Sequence, residues 1–297
     1  MDDGSDAPAR LNPTVLFFDE ALREVARGPR FREVAEASAA EAIAEFQRLD
    51  PASRWLMKDL GRTSIYVAAY VLSALPGGLT LSGLIAPLVA NRVANRGRIV
   101  AFVERALATG RLEVAAGPLP WTQRRLVLRP EFVEVLRDRA VGALTIVGRI
   151  DPTSALAATR LSDDRALEVA YFKIAGITAL MHAWGAPRLP RIEFFMRRDG
   201  GLKILQGLLL SQPSSRARLL EAAAFSKTDL AKRCAVSRIH LDTLLEDAES
   251  QGLLVRAGRG AVTFDPALSD SYELWVAMQV QATRLVAEAV LSLPLET

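Results

Sequence analysis

Three short stretches of this chain recur in the same order, and that internal repeat limits the fold more than any other feature. Arg54–Leu75 resembles Glu193–Gln212, with Met57 on Met196, Lys58 on Arg197, Gly61 on Gly200 and Ile65 on Ile204. Asn91–Val114 then aligns with Arg233–Arg256, placing Arg96 on Arg238, Glu104 on Glu246 and Gly110 on Gly252. Leu126–Phe132 follows against Val262–Leu268, with Pro130 on Pro266. The halves meet near Arg149–Ser162, a stretch suited to a linker or a helix start. The expected division is a disordered tail over residues 1–13, a first half over 14–150 and a second over 151–297.

Composition says what kind of unit is repeated. Half of the 297 residues are apolar and about a quarter charged, as in a globular chain. Aromatics are few while Ala, Leu, Val and Arg abound, which favours helices over sheets. Cys234 is the single cysteine, so neither an internal disulfide nor a cysteine-rich zinc site is expected, as suits a reducing cytoplasm. The first thirteen residues lack a basic-then-apolar leader pattern, and runs such as Ile65–Leu75 are too short to span a membrane. The net charge of +3 permits an anionic partner without demanding one.

The second copy is the more legible. Ser226 or Thr228 caps a short helix holding Leu230, Ala231 and Cys234, and Ala235–Val236–Ser237 makes a tight turn. Ser237 caps the next helix, whose Leu241, Leu244, Leu245 and Ala248 form an inward stripe ended by Gly252. Apolar residues then flank Ala257–Gly258–Arg259–Gly260, two strands around a flexible tip. Helix, turn, helix and basic-tipped hairpin resemble a winged helix-turn-helix of the MarR-like regulators over Ser226–Pro266. The likeness is weaker over Leu79–Pro130, where the wing is longer and holds Gly117–Trp121.

The resemblance implies a mainly α fold with small β-hairpin wings, here a tandem pair related by a pseudo-twofold. It implies a partner, double-stranded DNA, no cofactor, and helical dimerisation elements. It also admits a small-molecule effector between those elements and the DNA-binding unit. The chain then works as a monomeric pseudodimer or as a homodimer; family members usually carry one such unit per chain.

B-form DNA admits one helix into its major groove, N-terminal end first, so donors there are the candidates. They are Asn95, Arg96 and Arg98 in the first copy and Ser237, Arg238, His240 and Thr243 in the second. The wing candidates are Arg124 and Arg125 in the first copy and Arg256 and Arg259 in the second. Charge separates the two: residues 86–129 hold eight Arg against two Glu, a net of +6. Residues 226–264 hold six cations against five acids, a net of +1, so phosphate attraction is expected mainly on the first unit.

Other readings stand beside this one. A winged helix can serve as a protein-interaction scaffold, although a protein contact depletes cations at its core. Catalysis has little to stand on: two distant histidines, one cysteine and no zinc-ligand spacing. Cys234, His182, Met57, Met196, Trp55, Trp184 and Phe195 read as packed side chains.

Overall fold

A computed structural model of the chain describes residues 19–164, 167–175, 189–258 and 260–293. The expected tail over 1–13, the residues His182 and Trp184, and the wing-tip residue Arg259 lie outside them. Among the described residues the protein is mainly helical with two small antiparallel sheets. Among the described residues no helix is long and apolar enough to cross a membrane.

Two helices lead, α1 (Asp19–Arg27) and α2 (Phe31–Arg48). Then come α3 (Pro51–Leu56), α4 (Leu60–Ser73), α5 (Leu81–Ala90) and α6 (Arg96–Ala108). A hairpin of β1 (Leu112–Val114) and β2 (Leu126–Leu128) leads into α7 (Pro130–Val147). Two more helices, α8 (Pro152–Asp163) and α9 (167–175), open the second run. It continues with α10 (Pro190–Met196), α11 (Gly201–Leu209), β3 (Ala222–Ala224), α12 (Lys227–Arg233) and α13 (Arg238–Ser250). The hairpin of β4 (Leu254–Ala257) and β5 (Ala261–Phe264) then leads into α14 (Pro266–Leu291).

Local chemistry fixes these boundaries. Asp50, Asp151 and Asp265 each cap a helix whose first residue is proline, a ring that needs no amide partner there. The helix start expected near Arg149–Ser162 is this Asp151 cap. Gly110 and Gly252 end α6 and α13 with φ of 67° and 65°, a left-handed turn that spares glycine the Cβ clash. In each case the following amide reaches back to close the last turn, Arg111 N to Ala106 O at 2.8 Å and Leu253 N to Ala248 O at 2.9 Å.

The two hairpins are built alike but supported differently. Leu112 pairs with Leu128 in the first and Leu254 with Phe264 in the second. A full third strand, β3, pairs with β5, whereas in the first half only the Thr80–Arg125 bridge occupies the comparable edge.

The hydrophobic clusters cross the expected division at residue 150. Leu22, Phe31, Ala35 and Ala39 of α1 and α2 pack into the core made by α10–α14. Reciprocally, Val286, Ala287 and Val290 at the end of α14 join the core of α3–α7, as do Leu161, Tyr171 and Phe172 of α8 and α9. At its 26 residues α14 is about 39 Å long, enough to serve both cores. By packing, α1 and one face of α2 thus join the second core, while Val34 of α2 also meets Ile146 and Val147 of α7.

Candidate nucleic-acid interface

The sites of interest are the first turns of α6 and α13. In the second half α12 stops at Arg233, Ala235 turns left-handed at φ 51°, and Val236 N closes the turn on Ala231 O at 3.0 Å. Ser237 then accepts from the His240 amide at 3.0 Å and starts α13. In the first half Arg92 turns at φ 55°, Val93 N closes on Leu88 O at 2.9 Å, and Asn95 accepts from the Arg98 amide at 2.8 Å. The first turn is longer by one residue, Ala94. Asn95 and Ser237, expected at the site, are thus helix caps whose side-chain oxygens are already engaged.

Each second helix buries one stripe: Ile99, Phe102, Val103 and Ala106 in α6, and Leu241, Leu244, Leu245 and Ala248 in α13. The opposite face is open. Arg96 and Arg238, the first residues of their helices, are exposed, and so is Thr243. No carboxylate pairs with Arg92, Arg96, Arg125 or Arg238 among the described residues. Sequence reasoning missed Ile239, which is 80% exposed beside Arg238. Its place off the leucine stripe was readable from helical spacing. A branched apolar group there suits a thymine methyl.

Two expected readers point elsewhere. Arg98, third in α6, places Nη2 2.5 Å from Oδ2 of Asp59, a carboxylate only 1% exposed that also caps α4. His240, third in α13, places Nε2 2.7 Å from the carbonyl oxygen of Asp199. A carbonyl only accepts, so the proton sits on Nε2. Between them runs a chain of ion pairs. Arg62 bridges Asp59 at 3.0 Å and Asp199 at 3.1 Å, and Lys58 meets Asp199 at 2.8 Å. Gly200 N also donates to Lys58 O at 3.0 Å. Burial opposes ionisation of Asp199, but hydrogen bonds and charge from Lys58 and Arg62 outweigh it and hold the carboxyl below its usual range. The reading of Arg98 and His240 as open groove donors is therefore corrected: both serve the junction between the halves.

The wing residues divide in the same way. Arg125 is exposed, and its guanidinium lies against Gly78, where an added Cβ would come within 2.4 Å of Nε. Arg124 is half-buried and leans over its own wing, 3.5 Å from Gly117 O. Arg256 is latched to α13: its amide donates to Glu249 Oε1 at 2.8 Å and its Nε to Oε2 at 2.6 Å. The carboxylate holds that guanidinium above its ordinary range and is itself held below the usual one.

Several cations of the first unit are likewise spent internally, Arg111 on Asp50 at 2.6 Å and Arg129 on Glu113 at 3.2 Å. What remains open there among the described residues is Arg92, Arg96, Arg125 and Arg105, the last lying 5.9 Å over the Trp55 ring. On the second unit Arg238 and Lys232 are open, beside the exposed acids Asp229 and Glu246. Cys234 is buried, its Sγ donating to Lys203 O at 3.3 Å, and burial pushes its thiol up to about 12. No family model, curated protein or solved structure matches this chain.

Proposed function

We propose that this chain is a double-stranded-DNA-binding transcriptional regulator carrying two winged helix-turn-helix units of the MarR-like kind as an intramolecular pseudodimer. One observation carries the reading. The same order of capped helix, left-handed turn, capped helix and hairpin occurs twice, and each second helix offers an unpaired, exposed arginine at its first position. That placement suits a helix entering the major groove by its N-terminal end. The swapped leading helices support the pseudodimer, because each core is completed by segments from the other half. A regulator of this design is not an enzyme and works in the cytoplasm, as a monomer or with a second copy.

Specific binding is tested by selecting bound fragments from a genomic library and footprinting the best. Protection of two groove faces about one helical turn apart supports two reading units. A second reading, in which only the first unit touches DNA and the second is a scaffold, is favoured by the Arg256–Glu249 latch and the acids around α13. Under that reading a single face is protected.

A further inference from the structure

The open faces of α6 and α13 occupy matched positions and carry different chemistry. Arg96 and Arg238 begin the two helices, and Glu104 and Glu246 stand exposed at a matched place further along. Between them the faces part. The exposed strip of α6 is Gly97 and Ala101, and that of α13 is Ile239 and Thr243. Residues four apart stack one above the other on a helix, so each pair meets a duplex as one strip. The first strip is nearly bare backbone; the second is branched at both residues.

Packing explains neither Gly97 nor Ile239. A Cβ added at Gly97 would meet only Asn95 Oδ1, at 3.6 Å, so no neighbour excludes a side chain there. Glycine also weakens a helix relative to alanine. Ile239 is 80% exposed and takes no part in the leucine stripe beside it. Two of the open cations are one-sided as well. Arg92 takes the left-handed turn before α6 at φ 55°, where Ala235 takes it before α13 at φ 51°. Arg125 directly precedes the matched Leu126, where Ala261 precedes Val262. Both arginines are exposed, with no carboxylate partner among the described residues.

We propose, resting on the DNA-binding reading above, that the operator of one chain is a duplex without twofold symmetry. Arg96 and Arg238 each hold a guanine. Ile239 packs against a thymine methyl in the second half-site only. The matched place in the first half-site, facing Gly97, is free in sequence and gripped through phosphates by Arg92 and Arg125. Guanine offers O6 and N7 to an arginine, and thymine alone offers a methyl in the major groove, which glycine has no side chain to touch. A palindrome would present the same edge to both helices, and α6 would gain nothing from the methyl.

The test starts with selection from a random duplex library, trimmed to the shortest duplex that holds one chain. The expected motif is not self-complementary and fixes a thymine in one half. Replacing that thymine by deoxyuridine removes the methyl and keeps the pairing. The parent then binds about fourfold more weakly, the worth of one buried methyl group. Ile239→Gly binds the two duplexes alike. Gly97→Ile, which its surroundings accommodate, recovers a second thymine in the other half, a gain that misfolding does not produce. A self-complementary motif, equal affinity of the parent for thymine and uracil, or an unchanged motif from Gly97→Ile overturns the proposal and leaves the DNA-binding reading standing. A chain that prefers no duplex over random sequence fails at that reading, and the proposal falls with it.

Discussion

Arg98 of α6 closes on Asp59 at 2.5 Å, and through Arg62 that carboxylate is one step from Asp199, whose carbonyl holds His240 of α13. The first turns of the two candidate reading helices are thereby tied to one shared junction. Such a tie couples the two helices, as a chain docking both on one duplex would need.

Removing the centre of that junction is expected to destabilise the protein. Asp59→Ala deletes a helix cap, leaves Arg98 without its carboxylate and leaves Arg62 with Asp199 alone, for a loss of roughly 2–4 kcal/mol. Arg96→Ala, two residues before Arg98 but open to solvent, changes stability by less than about 0.5 kcal/mol. Urea unfolding of the three proteins checks the order; equal midpoints for Asp59→Ala and the parent would show that the junction contributes nothing.

Nonspecific DNA binding is expected to weaken steeply between low and physiological salt. Replacing Arg92, Arg96 and Arg125 together by alanine should flatten the slope by about 0.9 for each phosphate no longer neutralised. Fluorescence anisotropy on random duplex gives both slopes. An unchanged slope removes the first unit from the interface.

Folding and reading separate within α13. Leu244 is buried in its stripe, so Leu244→Ala costs about 2–5 kcal/mol through the cavity it leaves. Arg238→Ala leaves stability nearly intact and lowers affinity for a selected site by roughly 1–3 kcal/mol if the guanidinium holds a base edge. Unaltered affinity in that variant makes the second unit a scaffold.

Lys203 gives a pH signature whose sign is fixed. Its folded pKa is about 8, below the ordinary lysine value, so between about 8 and 10.4 the folded chain binds fewer protons than the unfolded one. Stability contributed by this group therefore rises with pH through that window, by up to about 3 kcal/mol. The facing groups are Glu45 on α2, Arg139 on α7 and Cys234 beyond α12, the last staying protonated because burial pushes it to about 12. The gain is read as the difference in unfolding free energy between the parent and Lys203→Met at about pH 7 and pH 9.5; a constant difference contradicts the assignment.

The local code of this protein is written in its sequence, because caps, glycine turns and leucine stripes act within a few residues. Ser237, Gly252 and the Leu241–Leu244–Leu245 stripe set α13, and Gly110 and Ile99 do the same for α6. The pairing of Arg96 with Arg238 as first residues of their helices was legible for the same reason. What surrounds the third residue of each helix was not. A helical position fixes a side chain's direction, but the group waiting there belongs to another element, Asp59 for Arg98 and Asp199 for His240. The same holds for packing. The apolar stripe of α2 says that a face must be buried, and only the tertiary structure decides that Phe31, Ala35 and Ala39 bury it in the core of the opposite half. Lys203 is the limiting case: nothing near it in sequence marks a buried, unpaired ammonium, because burial is a property of α2, α7 and α14 arriving around it.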